Sequence, residues 1–227
     1  MADIHAAQLE PTKPEAVATY LSARLGAGVT AEDLRMITSF RFDDPAGEVG
    51  CETHIVAVTV PQRGELLVQV PFTYRGAPLE GAPEEALVTR MDHSVLGDRW
   101  VYDAAFDPVY ATELLLAITD AGGAAEQFAV GSDGSRTQIT EGLANVRGTG
   151  APTDPADAAI DDIAATDDAL LPAVERTAEA TAIRLRGASV AVLTVLDADG
   201  RSDGAGGRLL ATWDGQQTPV ELARLAR

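Results

Sequence analysis

The sequence predicts an α+β fold, an antiparallel sheet packed with helices and followed by a β-rich C-terminal extension. Three observations carry that expectation. Three strand-like runs between residues 34 and 74 are joined by short turns, two segments with helix-capping signals flank them, and β character returns after residue 180.

The first helix follows from Thr12-Lys13-Pro14-Glu15, a capping box with proline near the helix start. Val17, Leu21 and Leu25 then recur at helical spacing, and Gly26 stands where a C-terminal stop belongs. Leu34, Met36, Thr38, Phe40 and Phe42 alternate with Arg35, Ile37, Ser39 and Arg41, the period of a half-buried strand. Asp43-Asp44-Pro45-Ala46-Gly47 is turn chemistry, and Cys51 to Val60 is a β-branched second strand. After Pro61-Gln62-Arg63-Gly64, a third strand places Leu66, Val68, Val70, Phe72 and Tyr74 on one face. Shorter strands are expected at Ala86–Asp92 and Arg99–Ala104. Asp107-Pro108 then caps a second helix that runs through Leu114, Leu115 and Ile118 to Gly122-Gly123. Residues 131–158 read as loop with at most short strands. Ile160, Ile163, Leu170, Leu171 and Val174 are expected to form the stripe of an acidic helix. Ala182–Arg186, Ser189–Leu196 and Arg208–Trp213 are the expected tail strands, with a turn at Gly200–Gly207. The expected organisation is an α+β domain at 1–130, a loop and acidic helical linker at 131–180, and a β-rich extension at 181–227 packed on the first domain.

Composition narrows the function classes. The net charge is 17 − 35 = −18, a field that disfavours nucleic acid and anionic membrane surfaces as partners. Residues 151–180 hold Asp154, Asp157, Asp161, Asp162, Asp167, Asp168, Glu175 and Glu179 against one base, Arg176, as a solvated face would. No apolar run approaches the roughly 20 residues that span a bilayer, and the opening residues lack signal-peptide character. With the single cysteine, Cys51, these features lead us to expect a cytoplasmic setting.

Catalytic motifs are sparse. The only lysine, Lys13, precedes the first helix, so no phosphate loop ends on a lysine and no strand lysine pairs with phosphates. His5, His54 and His93 never stand at the i, i+4 spacing of two zinc ligands on a helix. Asp197-Ala198-Asp199-Gly200 has Arg201 at the fifth position and Arg208 at the twelfth of a calcium loop, and reads as a turn. Neither a cofactor nor a metal is expected. Polar chemistry is densest from Met91 to Asp103. There His93, Arg99, Trp100, Tyr102 and Asp103 are the candidate ligand- or partner-binding residues, with no catalytic residue assigned. Asp92 and His93, adjacent on a strand, point to opposite faces and do not pair.

The same stretch carries a family likeness. Val70-Pro71-Phe72-Thr73-Tyr74-Arg75, Ala77-Pro78-Leu79, His93-Ser94-Val95-Leu96-Gly97, Arg99-Trp100-Val101-Tyr102-Asp103 and Asp107-Pro108-Val109-Tyr110 occur in order within Leu67–Gly123. This segment resembles the N-terminal cap domain of actinobacterial maltokinases. Ile4–Lys13 and the Asp43–Gly50 loop resemble free-standing, cap-like relatives. The resemblance implies a curved antiparallel sheet with helices, topologically similar to cystatins. In maltokinases a kinase follows the cap, phosphorylating maltose with ATP and feeding α-glucan synthesis from trehalose. Here an acidic linker and a tail without kinase motifs follow instead, so no catalytic residue carries over. The expected function is that of a non-catalytic accessory partner of an enzyme in trehalose, maltose or α-glucan metabolism. Two other expectations stand beside it: a sugar-binding protein or enzyme using the concave sheet face, and a self-associating structural protein.

Overall fold

The computed structural model of the chain describes residues 2–131, 133–150, 171–185, 187–200 and 206–226. Helix α1 (Lys13–Leu25) begins with the expected capping box: Thr12 Oγ1 accepts from the Glu15 amide, and Glu15 accepts from the Thr12 amide at 2.7 Å. It ends at Gly26, whose φ of 63° belongs to the left-handed region that glycine enters at least cost. Helix α2 (Pro108–Thr119) is capped by Asp107, which accepts from the Val109 amide at 3.1 Å.

The first sheet consists of β2 (Leu9–Glu10), β3 (Leu34–Phe42), β4 (Val49–Val60), β5 (Gly64–Arg75), β6 (Leu87–His93) and β7 (Gly97–Asp103). It curls as an antiparallel sheet in the order β2-β6-β7-β5-β4-β3. The turn between β3 and β4 is fixed by Asp44, whose carboxylate accepts from the amides of Ala46, Glu48 and Val49. Strand β3 departs from simple alternation. Its register slips between Met36 and Thr38, which sends Leu34 to the α1 side but Phe40 and Phe42 to the α2 side and leaves Met36 exposed. One extra residue reverses the phase of everything beyond it.

Apolar clusters lie on both faces of this sheet. Val56, Val58, Val60, Val68, Val70, Phe72, Met91 and Val101 pack with Val17, Tyr20 and Leu21 of α1. On the opposite face Phe40, Cys51 and Ile55 meet Tyr110, Leu114 and Ile118 of α2. That second cluster extends into another sheet, made of β10 (Asn145–Gly148), β11 (Ala173–Arg176), β12 (Ala180–Leu185), β13 (Ala188–Leu193), β14 (Arg208–Trp213) and β15 (Gln216–Ala226). The strands of this β-rich extension run antiparallel in the order β10-β14-β15-β13-β12-β11. Ile183, Val192, Leu209, Val220 and Leu222 supply its share of the core. A third, small sheet pairs β1 (Ala2–His5) with β8 (Gln127–Val130), and β8 with β9 (Arg136–Ile139).

Polar contacts join the two large sheets. Gln69, on β5, donates from Nε2 to the carbonyls of Leu193 and Leu222 at 2.5 Å each. Arg24, in the last turn of α1, donates to the Thr177 carbonyl and to the hydroxyls of Thr181 and Thr194 at 2.9–3.0 Å. Strand β7 pairs with β5 only from Phe72 to Arg75. The free edge before it is taken by the residues after β13: Gln69 N donates to Thr194 O, and Leu196 N to Leu67 O. Gly148 lets β10 cross α2 closely, because a Cβ there would lie 1.8 Å from the Ala117 carbonyl oxygen.

The tail differs from the sequence expectation in two places. Val174 lies on β11, paired with Ile183, and not on a helical stripe. Ile160, Ile163 and Leu170 fall outside the described residues. Strand β15 lies outside the expected tail strands; Pro219 interrupts its run and the adjacent Leu222 and Ala223 break its alternation. It is nevertheless flanked by β13 and β14, with Val220, Leu222 and Ala223 buried.

Candidate functional site

The five candidate residues separate along their two strands. Trp100 and Tyr102 project to one side of β7, where Tyr102 packs with Ala86 and Phe106 beside Leu79 and Trp100. The Tyr102 hydroxyl accepts from the Leu79 amide at 2.9 Å, and the Arg90 guanidinium lies 4.7 Å from the centre of the Trp100 ring. Asp103 is buried at the end of the strand. It accepts from the Ala105 amide at 3.1 Å and pairs with Arg176 at 3.3 Å. Burial raises its carboxyl above the ordinary range, against the lowering effect of that amide and of Arg176.

His93 and Arg99 are brought together elsewhere. With Leu96 they form one wall of a cleft of about 430 Å³, which also includes Lys13, Arg41, Tyr74, the N-terminal strand and the β3–β4 loop. His93 closes the tight turn between β6 and β7, its Nδ1 accepting from the Val95 and Leu96 amides at 3.2 and 3.0 Å. In the neutral ring the proton therefore sits on Nε2, which is left as a donor. Partial burial lowers the His93 pKa, which favours that neutral form. Gly76 gives the Arg99 guanidinium room, since a Cβ at position 76 would stand 3.0 Å from Arg99 Nη1.

Beneath the cleft lies a charged network that the sequence reading did not single out. Glu52 is 4% exposed, yet it carries a carboxylate on the α1 face of β4. Lys13 Nζ reaches both of its oxygens at 2.9 and 2.8 Å, and Arg41 Nη2 donates to Oε2 at 2.8 Å. Burial opposes the ionisation of Glu52, but Arg41, His54 and Lys13 outweigh it and hold the carboxyl far below the usual range. His54 is buried next to it, its Nε2 3.8 Å from Glu52 Oε2 and 3.3 Å from the Tyr74 hydroxyl. Burial, only partly opposed by Glu52, pushes His54 down to about 4. At neutral pH His54 is thus uncharged, and Lys13 and Arg41 are the cations that neutralise Glu52. Burial and the Glu52 charge together push the Tyr74 phenol well up.

The sequence holds one trace of this network. Glu52 and His54, two apart, share a face of a strand that is otherwise apolar and buried. Arg41 stands directly opposite Glu52 on β3, whereas Lys13 meets it only through the fold. Cys51, pointing the other way, is a free thiol in the core, and burial pushes its pKa up; a nucleophilic cysteine needs the reverse. Among the described residues no three His, Cys, Asp or Glu side chains converge as metal ligands. No helix among them is long and apolar enough to cross a membrane.

Residues 25–107 match the family model of the maltokinase N-terminal cap domain. The matched segment runs from the last residue of α1 to the cap of α2, and so contains β3 to β7 and most of the cleft. No curated protein matches the sequence.

Proposed function

We propose that this chain is a non-catalytic, cap-like protein that acts by binding, as an accessory partner of an enzyme of trehalose, maltose or α-glucan metabolism. The observation that carries this reading is the cap-domain match over residues 25–107, which takes in strands β3 to β7 of the curled sheet. The rest of the sequence supplies no phosphoryl-transfer set: its sole lysine, Lys13, is bound to Glu52, and no histidine follows His93. In this reading residues 1–130 form the cap-like unit, 131–180 lead from it and add β10 and β11 to the second sheet, and 181–227 complete the sheet that braces it. A cytoplasmic setting, where thiols stay reduced, suits the free Cys51.

The test is direct binding to purified enzymes of its own organism that convert trehalose to maltose, phosphorylate maltose or elongate α-glucans. A saturable complex with one of them, measured by interferometry and light scattering, is the expected result. Failure to bind every one at tens of micromolar overturns the reading.

The cleft supports a second reading, that the protein holds a small ligand. Its volume of about 430 Å³ falls in the range of ligand pockets, and its floor is a positioned set of charges. Titration of saccharides and their derivatives, followed by shifts in the amide resonances of residues 41–50 and 93–99, tests this reading separately.

A further inference from the structure

The cleft's hydrogen-bonding capacity is one-sided. Its acceptors are largely engaged. Glu52 already receives Lys13 and Arg41, Asp44 receives three loop amides, and Asp3 is paired with Arg136. Glu48, exposed, and Asp43, part-buried and with a partner of its own, lie on the rim loop. The donors are less committed. Lys13 has a third N–H beyond the two given to Glu52. Arg41 is 15% exposed and gives Nη2 to Glu52, which leaves further guanidinium N–H groups. Among the described residues Arg99 makes only a 3.2 Å contact to the neighbouring Asp98 carbonyl, and His93 presents Nε2–H. Two cations face one internal carboxylate at the floor, and a third cation stands on the wall. A ligand that complements this arrangement brings acceptor oxygens and a negative charge.

Resting on the reading that the cleft holds a small ligand, we propose that the ligand is an oxyanion-bearing metabolite, its phosphate or carboxylate group bound by Lys13, Arg41 and Arg99. Charge-assisted hydrogen bonds from guanidinium groups suit such oxygens in number and geometry. Glu52 acts as an internal stand-in for the anion: it holds Lys13 and Arg41 in place and takes up part of their charge.

The test uses the full chain and four probes: inorganic phosphate, glucose 6-phosphate, glucuronate and glucose. Binding is followed by calorimetry and by amide shifts at residues 41–50 and 93–99. We expect at least one anionic probe to bind, more weakly as salt rises, with glucose much weaker. Response to the phosphate probes alone assigns the site to phosphate, and to glucuronate alone to carboxylate. Arg99→Ala should weaken binding about tenfold or more. Glu52→Gln should tighten it, because Lys13 and Arg41 lose their internal anion; a purely structural Glu52 predicts weakening. If Glu52→Gln does not fold, Arg99→Ala decides alone. Glucose binding as well as glucose 6-phosphate, or anion binding indifferent to Arg99→Ala, overturns the oxyanion assignment and leaves the ligand reading standing. No response in the cleft to any probe removes both.

Discussion

The two faces of the first sheet are built from the same strands, yet they have opposite characters. Toward α2 and the second sheet, the charged and amide side chains are tied off, and the buried Thr73 hydroxyl is the exception. Arg75 makes a bidentate pair with the fully buried Asp107 at 2.7 Å, and Gln69 spends both amide protons on carbonyls of the second sheet. Toward α1, apolar packing covers one end only. The other end carries Lys13, Arg41, Glu52, His54 and Tyr74 beside an open cleft. A strand's period of two allows this division, since neighbouring residues serve different environments. The sealed face is where polar groups hold the fold together, and the open face is where they remain able to meet something else.

Breaking the sealed face has the largest expected effect. Asp107→Ala removes the α2 cap and leaves Arg75 without its buried partner, which should cost about 3–5 kcal/mol in denaturant unfolding. Acid acts next, on the open face. The folded-state pKa of His54 is depressed to about 4 from 6.5, so its contribution is present above pH 6.5 and is lost as pH falls toward 4. A shift of that size corresponds to about 3 kcal/mol. Glu52, also depressed, contributes above its ordinary 4.5 and loses that contribution below it. Unfolding measured from pH 7 to 4 should therefore show a falling limb, and His54→Gln should flatten it above pH 5 while sparing the Glu52 part. A limb unchanged by that substitution would contradict the assignment. The smallest effect belongs to Gln69→Leu, which strands two carbonyls between the sheets and should cost about 1–3 kcal/mol, read from the unfolding midpoint.

Local signals made much of the sealed architecture legible. Thr12, Glu15 and Gly26 mark the limits of α1, Asp107 marks the start of α2, and the turns at Asp44 and Pro61 separate β3, β4 and β5. What escaped depends on contacts distant in sequence. Strand β15 is held by β13 and β14 on either side, and that support overrides Pro219 and its irregular alternation. The bulge at Ile37 has no local signature, yet it decides which face receives Phe40 and Phe42. His93 and Arg99 were visible as polar residues, but their separation from Trp100 and Tyr102 follows from strand parity. The network around Glu52 was harder to see because Lys13 lies 39 residues away and because both faces of β4 are covered, so its acids and bases stand among apolar neighbours.

The segment after β13 that hydrogen-bonds Leu67 and Gln69 bears on how this sheet behaves outside its own chain. It works as a guard strand over a stretch that β7 does not reach. Excised at residue 130, the sheet would present that stretch as a bare ladder of amides and carbonyls next to Val68, a template for pairing with another copy. Self-association of such a fragment would then reflect a missing guard and say little about the quaternary state of the whole chain.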